Sequence, residues 1–129
     1  MAARLCVDAG LHRLDDHSKE PRLNYKKQCF WHVYSLEKGL ALNFGRTSNL
    51  QDYDIVTSYP NSCPWTHNIA WHRLMRCFLD FAKVQSTIYE KLYSAREREQ
   101  VMASKITAAK PIVNEIQRLI HICQVFILA

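Results

Sequence analysis

Glycine is scarce in this chain: there are three among 129 residues, Gly10, Gly39 and Gly45, and no two are close together. Loops that cradle phosphate need several glycines at fixed spacing, because backbone amides must approach the anion with no Cβ in the way. Neither a dinucleotide-binding fingerprint nor a P-loop can be written from these positions, and no G-x-S-x-G nucleophile elbow occurs. The five cysteines (Cys6, Cys29, Cys63, Cys77, Cys123) are odd in number and widely spaced, with no C-x2-C pair. That excludes a zinc ribbon or binuclear cluster within the chain and fits free thiols in a reducing compartment. Long apolar runs are missing too. The longest, Val125 to Ala129, is far too short to span a bilayer, and no secretory leader is visible, which predicts an intracellular, soluble chain with no membrane partner.

Charge is unbalanced but not concentrated. Seventeen basic and 12 acidic residues give a formal net charge of +5. The densest basic spots, Lys26-Lys27, Arg73 with Arg76, and Arg96 with Arg98, do not form one strip. A nucleic-acid footprint gathers its cations on one face, so these read as solvated surface, with no direct nucleic-acid contact expected.

What is present is material for one core. Hydrophobic residues make up 48% and aromatic residues 11%, in a length that suits a single domain. Periodicity predicts an all-α, irregular multi-helix array with helices over about residues 2–10, 21–44, 67–94 and 104–128 and a long loop over 45–66. In the first helix Ala3, Leu5, Cys6 and Ala9 share a side, and Gly10 supplies a stop. In the second, Leu23, Phe30, Val33, Tyr34, Leu40 and Ala41 recur at helical intervals, while Lys26, Lys27, Gln28 and His32 occupy other faces; Gly45 ends it.

Thr66 or Asn68 can cap the third helix, whose stripe runs through Trp71, Leu74, Met75, Phe78, Phe81, Ala82, Gln85, Ile88, Tyr89 and Leu92. The last helix aligns Ile106, Ala109, Val113, Ile116, Ile120, Cys123 and Ile127. Pro111 either opens that helix or kinks a longer one. The loop holds many turn formers, and its own Leu50, Tyr53, Ile55 and Tyr59 are the candidate anchors that fix a connection of this length.

Two segments carry a resemblance. The first is Lys26-Lys27-Gln28-Cys29-Phe30-Trp31-His32-Val33-Tyr34-Ser35-Leu36-Glu37-Lys38. The second runs from Leu42-Asn43-Phe44-Gly45-Arg46 through Asp52-Tyr53-Asp54-Ile55 to Pro60. In this order they resemble the middle homology region of fungal-specific transcription factors, the regulatory region of binuclear zinc-cluster regulators. The opening Ala2-Ala3-Arg4 to Arg13 is similar to the helix end just upstream in that family, and Phe81 to Ser94 to the helix downstream. The resemblance covers roughly residues 2–94. Asn24 and Tyr25 dilute the basic run, and Thr47 stands where proline or a small residue is common.

The resemblance implies a truncated copy of a larger helical regulatory domain, with Phe30, Trp31, Tyr34, Gly45, Arg46, Asp52, Asp54, Ile55 and Pro60 as structural motif residues. It further implies a nuclear parent that controls RNA polymerase II transcription and reaches DNA through a zinc cluster outside this chain. Zinc is expected only there, with no cofactor in this segment. The partner of the segment itself is then a protein or a small effector. A truncated copy is also expected to expose apolar faces and to self-associate.

Phe30, Trp31 and Tyr34 suit a ligand-stacking platform, but three aromatics on a helix are far more often core. Arg46 with Asp52 and Asp54 reads best as an arginine tying down the loop while the aspartates cap turns. Asp52-Tyr53-Asp54 opens like a calcium loop but lacks the glycine and closing glutamate. Cys63, His67, His72 and Cys77 suit zinc chemically, yet His67 and His72 are five apart and do not converge on one helix face. The serines and histidines form no ordered catalytic set, nor does anything in the pattern support His12, His17 or His32 as a pH switch, so no enzyme is expected. Rivals to the regulatory reading are a helical protein-interaction module and an inactive remnant reading frame.

Overall fold

A computed structural model of the chain describes residues 1–61 and 68–128, with side chains to residue 125. Among the described residues the architecture is all-α: α1 (Ala2–Asp8), α2 (Leu23–Asn43), α3 (Ile69–Ile88) and α4 (Met102–Leu128). Short 3-10 turns follow α1 at Leu11–Arg13 and interrupt the long loop at Asp52–Asp54.

The helix ends follow from sequence. Gly10 adopts φ 71° after α1, and Gly45 adopts φ 61° after α2, a region open to glycine at no steric cost. At Gly45 the chain closes a Schellman motif: the Arg46 amide donates to the Ala41 carbonyl at 2.9 Å and the Gly45 amide to Leu42 at 3.1 Å. Asn68 caps α3, its side chain accepting from the amides of Ala70 at 2.9 Å and Trp71 at 3.3 Å. The other cap candidate, Thr66, lies outside the described residues. The end of α3 departs from the predicted continuous helix, because Tyr89–Tyr93 forms a π turn closed by the Ser94 amide on the Tyr89 carbonyl at 2.8 Å. Pro111 sits inside α4 without ending it, which decides between the two readings in favour of one long helix.

The main core gathers Ala3 and Cys6 of α1, Phe30, Trp31 and Tyr34 of α2, Leu50 of the loop, and Leu79 and Ala82 of α3. Trp31 meets Phe30, Tyr34 and Tyr59 edge-on at centroid distances of 5.2, 5.0 and 4.6 Å. Edge-to-face pairing of this kind adds about 0.5–1.5 kcal/mol per pair to area burial. A second cluster joins Val84 of α3 to Ile112 and Leu119 of α4, flanked by Ile88, Leu92 and Ile116.

Several face assignments are corrected by this packing. Helix α3 lies between α2 and α4, so its buried residues divide between two sides, and Trp71, Phe78 and Phe81 of the predicted single stripe are exposed. On α4 the predicted stripe through Ile106, Val113 and Ile120 faces solvent, each about half exposed, while Ile112 and Leu119 are buried. That helix is apolar on two adjacent faces, and periodicity cannot say which one meets α3. On α1, Leu5 is exposed and Val7 packs inward instead; on α2, Leu40 is exposed. Lys27 and Gln28, placed on an outer face from sequence, are buried.

Candidate functional site

The residues of the two signature segments meet where the loop after α2 folds back along that helix. Lys27, Trp31, Tyr34 and Lys38 follow one another at steps of four, three and four, which places all four on one face of α2. Each of them reaches the loop. Lys27 Nζ bonds the Asp16 carboxylate and donates to Ser58 Oγ at 2.8 Å. Trp31 Nε1 donates to the Ser58 carbonyl at 2.9 Å. The Tyr34 hydroxyl donates to the Asp52 carboxylate at 2.8 Å. Lys38 Nζ donates to the Leu50 carbonyl at 2.6 Å and lies 3.2 Å from Asp52. The loop is therefore fastened along three turns of helix by charged and polar groups whose stems run through the core.

Asp52 is the centre of this arrangement. It also accepts from Ser86 of α3, so one carboxylate joins α2, the loop and α3. Burial, and after it the charge of Asp52, pushes the Tyr34 hydroxyl well above the ordinary tyrosine range, which keeps it a donor. A second junction lies at the amino-terminal segment. Asp54 binds the Arg13 guanidinium and lies 3.4 Å from His12 Nε2, while the His12 carbonyl accepts from the amides of Val56 and Thr57. Thr57 Oγ1 completes the junction, donating to the Leu11 carbonyl at 2.7 Å and accepting from the Leu14 amide at 2.9 Å. Hydrogen bonds from Lys27 and Ser58 hold the Asp16 carboxyl below the usual carboxylate range, and that from Arg13 does the same for Asp54.

The motif residues named from sequence are placed as follows. Phe30, Trp31 and Tyr34 are buried together and Ile55 packs against them. Gly45 turns the chain. Pro60 lines a cleft described below. Arg46 does not take the role read from sequence: its guanidinium lies 5.8 Å over the Phe44 ring, and Asp52 and Asp54 pair with Lys38 and Arg13 instead. The helix end turns Arg46 away from the loop it was to hold. The aspartates join elements and do not cap turns, Asp52 holding Lys38, Tyr34 and Ser86, and Asp54 holding Arg13. Of the loop anchors, Leu50 is buried, Ile55 and Tyr59 pack on the core, and Tyr53 is exposed. Lys27, Lys38, Ser58 and Ser86 were missed. For the two lysines a signal existed, their register with Trp31 and Tyr34, but lysine on a helix reads as solvent-facing. Cys63 and His67 of the candidate zinc set lie outside the described residues.

Beside this fastening, two adjoining clefts open between α2, α3 and the loop. One, of about 470 Å³, is apolar, with Leu36, Trp71, Met75, Phe78 and Leu79 among its walls. The other, of about 510 Å³, is polar, with Asp52, Ser58, Lys83 and Thr87 among its walls. Trp31, Tyr59 and Arg76 border both. Burial, then the Asp80 charge, raises the Tyr59 hydroxyl, which donates to Asp80 at 3.2 Å.

Comparison with known proteins decides the family. The profile of the family described as fungal specific transcription factor domain matches residues 1–123. The chain belongs to that family. It is 29% identical over 109 residues to an ABC-transporter-regulating transcription factor of Aspergillus fumigatus, an alignment covering 77% of this chain and 12% of that protein. The same identity and shares hold for an ABC-transporter-regulating transcription factor of Aspergillus oryzae. An uncharacterized transcriptional regulatory protein of Schizosaccharomyces pombe is 43% identical over 56 residues, which is 39% of this chain and 9% of that protein. The chain thus spans about an eighth or less of the length of the curated relatives it matches. No solved structure matches it. Membership in this family, together with relatives that are transcription regulators, supports a role in transcription regulation. No helix among the described residues is long and apolar enough to cross a membrane.

Proposed function

We propose that this chain is part of the helical regulatory region of a nuclear transcription regulator, and that it regulates without catalysing a reaction. In this reading the parent protein contacts DNA through a zinc cluster outside the segment and acts on RNA polymerase II transcription. The segment answers to a small effector or a protein partner. The observation that carries the reading is the family match over the same residues that the fold fastens into one unit, α1 to α3 and the Asp52 loop. A unit in which one carboxylate joins three elements is suited to two discrete packings, and an effector shifts such an equilibrium by its difference in affinity for the two.

The test is a reporter assay. Residues 1–129 are fused between a heterologous DNA-binding domain and an activation domain in yeast. The expected outcome is reporter output that differs from a fusion lacking the segment and that responds to disruption of the Asp52 network. Output identical with and without the segment, at equal protein levels, removes the reading. The half-exposed stripe of Ile106, Val113 and Ile120 on α4 favours a second reading, a helical protein-interaction module. Loss of a co-purifying partner on substituting those three residues, with the reporter unmoved, selects it.

A further inference from the structure

The polar cleft contains an unusual charge arrangement. Arg76 and Lys83 are two turns apart on α3, yet both cations are drawn to one aromatic ring. The Arg76 guanidinium lies 4.1 Å and the Lys83 ammonium 4.6 Å from the Tyr59 centroid, and Lys83 also lies 5.5 Å from that of Trp31. No ion pair to either cation is among those of the described residues. Of the nearby carboxylates, Asp52 takes Lys38, Tyr34 and Ser86, and Asp80, which lies between the two cations along α3, accepts the Tyr59 hydroxyl. Beyond Arg76 the same wall of Trp31 and Tyr59 continues into the apolar cleft of about 470 Å³, a size at which small organic molecules are held.

We propose that these adjoining clefts form a binding site for an amphipathic organic anion. An acid group pairs with Arg76 and Lys83, and an aromatic or aliphatic body lies against Trp31, Tyr59 and Met75. An acid there pairs with one or both cations through charge-assisted hydrogen bonds. The body supplies apolar burial but no charge discrimination. Selectivity for acids over isosteric alcohols therefore rests on Arg76 and Lys83. The proposal deepens the regulatory reading, on which its biological meaning depends, by giving the effector a chemical class.

The test is calorimetric titration of the 129-residue chain with 1-naphthoate and with 1-naphthalenemethanol, which keeps the ring system and lacks the charge. Naphthoate is expected to bind at least ten-fold more tightly than the alcohol. The double substitution R76Q/K83Q, at two exposed positions, is expected to abolish that preference; K105Q on α4 leaves it unchanged. Equal affinity for acid and alcohol, or a preference that survives R76Q/K83Q, overturns the proposal. The wild-type chain supplies a second measurement that needs no variant. The Trp31 indole N–H, bonded to the Ser58 carbonyl, gives its own nuclear resonance, which naphthoate must shift and which must stay still if the acid binds elsewhere. The outcomes separate from those of the reporter assay: no acid preference with an active reporter removes the effector class alone, and acid binding with an inert reporter removes the regulatory role alone.

Discussion

Replacing Asp52 with alanine tests the fastening of the loop at its centre. The substitution removes the acceptor of the fully buried Tyr34 hydroxyl and that of Ser86, and it strips Lys38 of its carboxylate. A buried donor left without a partner costs about 1–3 kcal/mol. Breaking a buried ion pair costs about 3–5 kcal/mol. Here that figure is reduced, because the Lys38 side chain is 4% exposed but that of Asp52 is 38% exposed, and Lys38 keeps the Leu50 carbonyl. The expected loss is about 3 kcal/mol in total. With a urea slope of about 1–3 kcal/mol/M, the midpoint falls by about 1 M or more. Lys38→Met is expected to cost a similar amount, since it leaves Asp52 without its cation. The double variant, having neither charge, should cost clearly less than the sum, with a coupling of about 2 kcal/mol. Urea unfolding followed by circular dichroism and by tryptophan fluorescence reads all three. A D52A loss below about 1 kcal/mol, or strict additivity of the two substitutions, refutes the claim that the Asp52 network holds the loop in place.

The remaining predictions concern pH and α4. Tyr34 and Tyr59 are held above the ordinary tyrosine value, so the folded state retains their protons more tightly; this stability is complete below about pH 10 and is lost as pH rises beyond it. In a variant whose other four tyrosines are phenylalanine (Tyr25, Tyr53, Tyr89 and Tyr93 replaced), phenolate absorbance should rise together with unfolding at high pH, and phenolate appearing before unfolding in that variant contradicts it. Asp16 and Asp54 have the opposite sign: their lowered values add stability above about pH 4 that is lost as pH falls through the folded values, and D54N should flatten the acid limb of a stability–pH curve. Pro111→Ala restores a ladder donor within α4 and is expected to raise stability by about 1–3 kcal/mol, read as a higher urea midpoint; an unchanged or lower midpoint shows that the proline is accommodated at no cost.

What sequence reasoning could see follows from how each element is stabilised. The aromatic face of α2, the glycine stops and three of the loop anchors, Leu50, Ile55 and Tyr59, are legible in the sequence, because apolar spacing and turn chemistry are local signals. Lys27 and Lys38 were not, since a lysine stem that crosses the core and a solvated lysine look alike until a carboxylate or carbonyl is placed at its end. Arg46 lies closer in sequence to the aspartates than either lysine does, but its guanidinium lies over the Phe44 ring. On α4 both Ile112-Leu119 and Ile106-Val113-Ile120 recur at seven residues, so the pattern offered two faces and only the position of α3 selects one. The cleft cations were invisible for a different reason: their significance lies in Tyr59, which a loop brings to them across the fold.

The fastening of the loop has a kinetic consequence. Helical proteins usually assemble quickly because their contacts are close along the chain. Here the bonds that join Leu11, Arg13, Leu14 and Asp16 to Asp54, Thr57 and Ser58 span 41 to 46 positions, and no helix forming on its own can make them. Closing that distance comes at an entropic cost before any of those bonds forms. A chain that is helical in content should therefore refold at a pace nearer to that of mixed α/β domains, with the loop settling last.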